Sequence, residues 1–73
     1  MDRYDELEDA TWGMSPEQTL AFLGPLAESG DAAAQCLLAD AYDDGTMGER
    51  DSVKSVQWYR KSAAQGFLRA QYS

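Results

Sequence analysis

The fold is indicated by a nine-residue stretch, Ala27-Glu28-Ser29-Gly30-Asp31-Ala32-Ala33-Ala34-Gln35, which recurs 36 residues later as Ala63-Ala64-Gln65-Gly66-Phe67-Leu68-Arg69-Ala70-Gln71. Ala, Gly, Ala and Gln are identical at the first, fourth, eighth and ninth positions of the two copies. The same offset places Ser15 opposite Asp51, and both residue types favour the N-cap of a helix. A repeat of this length with two helices per unit is typical of α/α solenoids.

The first predicted helix begins at Ser15, ahead of the first copy of the repeated stretch. Pro16 suits the first turn, and Gln18 completes a capping box with Ser15. This helix ends near Gly30. The dipeptide Gly24-Pro25 predicts a kink or a break within it, because proline has no N–H to donate to the carbonyl four residues earlier.

Three further helices are predicted. The second runs from its N-cap Asp31 to Gly45, the third from Asp51 or Ser52 to about Gln65, and a fourth starts at Phe67. The third helix carries two stripes, one containing Val53 and Val56 and one containing Ser55, Trp58 and Ser62, which predicts burial on both sides. No stretch alternates between apolar and polar residues for long enough to form a strand. The predicted core side chains are Leu37, Leu38, Tyr42, Val56, Trp58 and Tyr59.

The repeat resembles the Sel-one-like (Sel1-like) repeat, a relative of the tetratricopeptide repeat. The matching residues cover about residues 30–73, with one departure in the loop, where Met47 stands in place of an expected glycine. They are Ala34-Gln35, Tyr42, Gly45, Asp51, Lys54, Trp58-Tyr59, Ala63, Gly66 and Ala70-Gln71. The resemblance implies an all-α fold, in which antiparallel helix hairpins form a short α/α solenoid with one full repeat and partial flanking repeats. It also implies a scaffold or adaptor role. We assign residues 15–73 to this domain and residues 1–14 to an acidic N-terminal segment that can form a short helix.

Charge is distributed unevenly along the 73 residues, whose formal net charge is −7. Residues 1–49 hold twelve acids and one base, for −11, and residues 50–73 hold one acid and five bases, for +4. This balance argues against direct nucleic-acid binding, which needs clustered Lys and Arg. The acidic N-terminus is unlike a signal peptide, and no apolar run is long enough for a membrane span. A cytoplasmic location is therefore expected.

Catalysis and metal binding find little support in the residue types. The chain has no His, and its single cysteine, Cys36, lies within a predicted helix and has no imidazole to activate it. The acids between Asp40 and Asp51 have the length of a calcium loop, but Tyr42 occupies its third ligand position. We therefore expect a non-enzymatic protein with no metal or cofactor.

Two functions remain open. The first is a protein–protein interaction module that binds a partner with a basic surface, and the ends of the solenoid also allow a homodimer. The second is a small acidic inhibitor of the phage anti-defence or anti-CRISPR type, which mimics nucleic acid and blocks a basic groove. A solvated acidic face that only keeps the protein soluble is the alternative interpretation of the same charge. The candidate contact residues for either function are Asp2, Asp5, Glu6, Glu8, Asp9, Asp40, Asp43 and Asp44.

Overall fold

A computed structural model describes residues 3–45, 48 and 50–66 of the chain. This part of the chain contains α-helices and connecting turns, and it confirms the predicted all-α fold. The fourth helix predicted to start at Phe67 lies outside the described residues. The described helices are α1 (Arg3–Thr11), α2 (Pro16–Glu28), α3 (Ala32–Asp44) and α4 (Ser52–Ala64).

The helix starts follow from local hydrogen bonding. Ser15 accepts from the backbone N–H of Gln18, and the Gln18 side chain accepts from the backbone N–H of Ser15, which completes the predicted capping box. Asp31 and Asp51 cap α3 and α4 with their carboxylates, which accept from backbone N–H groups of the first turn. At the other end of α3, Gly45 adopts φ = +81°, a left-handed conformation that costs least for a residue without Cβ.

The 36-residue repeat is visible in the helices themselves. α2 and α4 each have 13 residues, and their first residues, Pro16 and Ser52, are one period apart. Each is followed within two residues by a glycine with positive φ, Gly30 after α2 and Gly66 after α4. The two helices therefore share their length, their spacing in the sequence and the glycine that follows them.

Helix α2 is not broken at Gly24-Pro25. It runs unbroken from Pro16 to Glu28, with Pro25 inside its last turn. Pro25 is exposed there, as is Ala21, whose carbonyl would otherwise accept from position 25. The carbonyl of Pro25 itself accepts from Ser29 at 3.0 Å. The missing hydrogen bond thus falls on the solvent side of the helix, near its end, where water can replace it.

Helix α3 lies at the centre of the fold and packs against α1, α2 and α4. Seven consecutive residues, 33–39, are buried, and four of the buried α3 residues are alanines, which let neighbouring helices approach closely. Leu37 and Leu38 belong to the core cluster, and Tyr42, Trp58 and Tyr59 pack against it partly buried.

Helix α4 buries one face, where two buried faces were predicted. Ser55 and Ser62 are buried against α3, and the Ser62 hydroxyl donates to the carbonyl of Ala32 at 2.7 Å. Val53 and Val56 are 68% and 46% exposed, so the prediction of Val56 as a core residue is wrong. The reason is that no other described helix makes an extensive contact with α4, and one face is all that α3 can cover.

In α2, Leu23 and Ala27 are buried and Leu20 is 43% exposed. No described helix has the length and apolar character needed to cross a bilayer.

Candidate binding cleft

The carboxylate of Asp40 joins three helices. The hydroxyl of Tyr4 in α1 donates to one of its oxygens, and the hydroxyl of Tyr59 in α4 donates to the other. Asp40 itself is partly buried in the last turns of α3. It was predicted to be an exposed contact residue, but both of its oxygens are engaged inside the fold. Its main role is therefore to connect neighbouring helices.

Tyr4 is held in its protonated form by this environment. Burial is the largest cause that raises the pKa of its hydroxyl far above the ordinary value of 10.0. The hydrogen bond to Asp40 and the negative charges of Asp40 and Glu8 act in the same direction. A protonated hydroxyl keeps its role as donor to the Asp40 carboxylate over the whole neutral range.

Beside this carboxylate lies a cleft of about 340 Å³ between α1, α2 and the C-terminal half of α3. We call it the acidic cleft, because Glu8, Asp40 and Asp44 all line it. Apolar side chains complete its walls, including Leu23 and Leu37 from the buried core. None of the described Lys and Arg side chains lines this cleft.

The fold brings together some of the predicted acidic contact residues. Glu8 and Asp44 are one repeat period apart in sequence, as are Tyr4 and Asp40, and both pairs meet at the acidic cleft. The cause is the packing of α1 against α3, which brings residues that are 36 positions apart in the sequence to the same place. The two acidic segments of the sequence therefore form one surface where α1 meets the C-terminal half of α3.

The remaining predicted acids lie around this surface in different settings. Glu6 is 3.7 Å from the guanidinium of Arg3, and Asp43 is 3.7 Å from that of Arg50. Both pairs are largely exposed, so each contributes little to stability. Asp9 is exposed on α1 and Asp5 is half-buried there. Asp2 lies outside the described residues.

Trp12 is the notable residue that sequence reasoning did not select. It follows α1 directly, lines the acidic cleft and is 86% exposed, more than the other large hydrophobic side chains that the structure leaves open. The available signal was its position: a large aromatic residue before Gly13, between two predicted helical segments, has no helical stripe to join. Exposed tryptophans of this kind are enriched at the energetic centres of protein interfaces.

A second, shallower groove lies on the exposed face of α4. Its lining includes Val53, Val56 and Arg60, so it combines apolar and basic side chains. The chain thus presents an acidic cleft at one place and a basic, apolar helix face at another. This separation matches the change of sign in the sequence near residue 50.

Comparison with known proteins adds one assignment. The family model of the Sel1 repeat matches residues 32–67, which span α3, the following loop and α4. No curated protein and no solved structure matches the chain. The matched segment is one period long and contains the helix hairpin that carries Asp40, Asp44 and Tyr59. Residues 32–67 of this chain are therefore a Sel1 repeat.

Proposed function

We propose that this chain is a non-enzymatic protein–protein interaction module that binds the basic surface of a partner protein. The Sel1 repeat is a protein-interaction repeat and is generally not catalytic. The observation that carries the proposal is the meeting of Glu8 and Asp44, from two separate acidic segments, at one cleft that no described Lys or Arg lines. We name the proposed binding surface the acidic surface. It consists of the exposed acids of α1, which are Glu6, Glu8 and Asp9, and of Asp43 and Asp44 at the end of α3.

The electrostatics of this surface favour a cationic partner. Acids at the C-terminus of a helix oppose its dipole, and Asp43 and Asp44 occupy the last two positions of α3. Their negative charge adds to the partial negative charge of the helix end, so the potential there is more negative than that of either alone. Such a surface speeds association with a basic partner and selects against acidic ones.

The proposal is tested by affinity capture from a cell lysate with a matched pair of charge reversals. Asp44→Lys changes an exposed acid in the last turn of α3, and Glu28→Lys changes an exposed acid in the last turn of α2. Both variants change the net charge by +2, and both place a cation where the helix dipole favours it. We expect Asp44→Lys to lose a protein that the wild type and Glu28→Lys retain, as measured by quantitative mass spectrometry.

The salt dependence of the same capture is a second readout. Retention by a charged surface should weaken steeply between about 50 and 200 mM salt, since screening acts most strongly on exposed charges. Equal retention by all three proteins at every salt concentration would contradict binding through the acidic surface.

A second candidate function is an acidic mimic of nucleic acid that blocks a basic groove. It is favoured by the same joining of two acidic segments into one surface, which presents several carboxylates to a single partner. The two functions differ in what competes with binding. If the captured protein is itself a nucleic-acid binder, and if added duplex DNA releases it from the chain, the inhibitor is supported; release by salt but not by DNA supports the interaction module.

A further inference from the structure

The acidic cleft combines three kinds of wall. Glu8, Asp40 and Asp44 supply negative charge, and the indole of Trp12 supplies an exposed aromatic face. Buried aliphatic groups such as Leu37 supply an apolar surface. Clefts that bind ligands typically exceed about 300 Å³ and pair apolar walls with a few polar groups. This cleft has both properties, so its chemistry defines what it can hold.

The described bases nearest to the cleft in sequence form their ion pairs outside it. The Arg3 guanidinium is 2.9 Å from Asp31 at the opposite end of α3, and Arg50 is paired with Asp43 outside the cleft. Asp40 is hydrogen-bonded by two neutral hydroxyl groups, which orient its carboxylate but leave its charge uncompensated. A cation entering the cleft would therefore meet carboxylates but none of the described Lys and Arg side chains.

We propose that the acidic cleft binds an arginine side chain of the partner protein. The inference rests on the proposed function and adds the group by which the partner is recognised. A guanidinium stacks on an indole and donates in a planar fork to carboxylates, whereas an ammonium is a compact, strongly hydrated charge. The aliphatic stem of the same arginine packs on the apolar wall.

The occupant is tested with N-acetyl-arginine amide as the probe, added to the ¹⁵N-labelled full chain. The chain has two tryptophans, so its NMR spectrum contains two indole N–H signals. Trp12 lines the cleft, while Trp58 packs against the core with the Lys61 ammonium 4.5 Å above its ring. We expect the probe to shift the Trp12 signal along a saturating curve and to leave the Trp58 signal unchanged.

Two neighbouring probes identify the chemistry. N-acetyl-citrulline amide has nearly the same shape without the charge, and N-acetyl-lysine amide has the charge without the planar fork. We expect citrulline to bind about 10-fold more weakly than arginine, and lysine about 3-fold more weakly, in line with the strength of exposed cation–π contacts and charged hydrogen bonds. Equal binding of citrulline, or equal binding of lysine, would overturn the assignment to arginine.

Variants locate the site. Glu8→Gln removes a charge from the cleft, and Glu17→Gln removes one from an exposed acid of α2 that does not line it. The first should weaken the probe about 3-fold and the second should leave it unchanged. Trp12→Ala should weaken it about 2- to 5-fold, read from the backbone amide of Gly13. The same loss in Glu8→Gln and Glu17→Gln would indicate a diffuse charge effect and overturn the site.

The outcome is separable from that of the proposed function. If Asp44→Lys abolishes capture of a partner but the arginine probe does not shift Trp12, the acidic surface binds its partner and the arginine inference fails. If the probe binds the cleft but no captured protein depends on Asp44, the proposed function fails and the cleft remains an arginine site.

Discussion

Deleting the two hydroxyl groups that bind Asp40 tests whether this carboxylate holds α1, α3 and α4 together. Tyr4→Phe and Tyr59→Phe each remove one donor to the carboxylate and keep the aromatic ring. The rings pack on the core, so neither change opens a cavity. Asp40→Ala removes the acceptor that both tyrosines share. The three single variants and their combinations form two double-mutant cycles.

The expected magnitude follows from the number and kind of hydrogen bonds. A hydrogen bond to a charged group contributes about 1.5–3 kcal/mol, and we take about 1.5 kcal/mol for each because Asp40 is only partly buried. At about 0.05–0.15 kcal/mol per residue, a chain of 73 residues has a free energy of unfolding of about 4–11 kcal/mol. Losing both bonds should therefore remove about 3 kcal/mol, between a quarter and three quarters of the total.

Urea unfolding followed by far-UV circular dichroism measures the effect. A domain this small unfolds with a slope of about 1 kcal/mol per molar urea, so each Tyr→Phe change should lower the midpoint by roughly 1.5 M. In the Asp40→Ala background the hydrogen bonds from both tyrosines to Asp40 are already lost. Tyr4→Phe or Tyr59→Phe should then cost less than about 0.5 kcal/mol, and the difference is the coupling energy.

Tyr42→Phe is the matched control for these variants. Tyr42 is half-buried in α3 and contacts the Lys54 ammonium through its ring, while its hydroxyl donates to none of the described side chains. Deleting that hydroxyl should change the free energy of unfolding by less than about 0.5 kcal/mol. The reasoning is refuted if Tyr4→Phe and Tyr59→Phe cost as little as this control, or cost the same with and without Asp40.

Three other outcomes follow from the structure. Because burial raises the pKa of Tyr4 in the folded chain, the unfolded chain loses the Tyr4 proton first as the pH rises. The contribution of the Tyr4 hydroxyl to the free energy of unfolding should therefore be complete below pH 10 and should fall above it by about 1.4 kcal/mol per pH unit. The difference between the unfolding curves of the wild type and of Tyr4→Phe measures this contribution. Gly45→Ala should lower the free energy of unfolding in urea by about 1 kcal/mol, because φ is +81° there, although a Cβ would meet open space. Gly24→Ala should raise it by about 0.5–1 kcal/mol, because the added Cβ would make only an ordinary contact within α2. Leu38→Ala should lower the free energy of unfolding by about 2–5 kcal/mol and Val56→Ala by less than about 0.5 kcal/mol, as measured by thermal unfolding. Equal losses in the two variants would contradict the exposure of Val56.

The helices were predictable because their ends are specified over three or four residues. Ser15, Asp31 and Asp51 each cap a helix with their own side chain, and the sequence shows each cap directly. Gly45 ends α3 for an equally local reason. The Sel1 repeat was also predictable, because its pattern lies within one 36-residue segment. At Pro25, where the local rule concerned a missing bond, the sequence left a kink or a break open, and the structure shows that the helix continues, because the carbonyl that loses its donor is exposed to water.

The candidate site was predictable only in composition. The sequence shows many acids, but it does not show that Glu8 and Asp44 line one cleft or that Asp40 is bound by two tyrosines. These contacts depend on how α1 and α4 pack against α3. Trp12 carries no helical spacing that could have marked it, and its exposure depends on the neighbours that the fold places around it.

The helix caps, the repeat period and the excess of acids before residue 50 can all be found from the order of residues along the chain. The packing of the helices determines that Asp40 faces inward, that Val56 faces outward and that two acidic segments share one cleft. This is because a side chain is buried only where another part of the fold packs against it. In this chain α3 lies opposite the other described helices, and its packing distributes the acids between the interior and the surface.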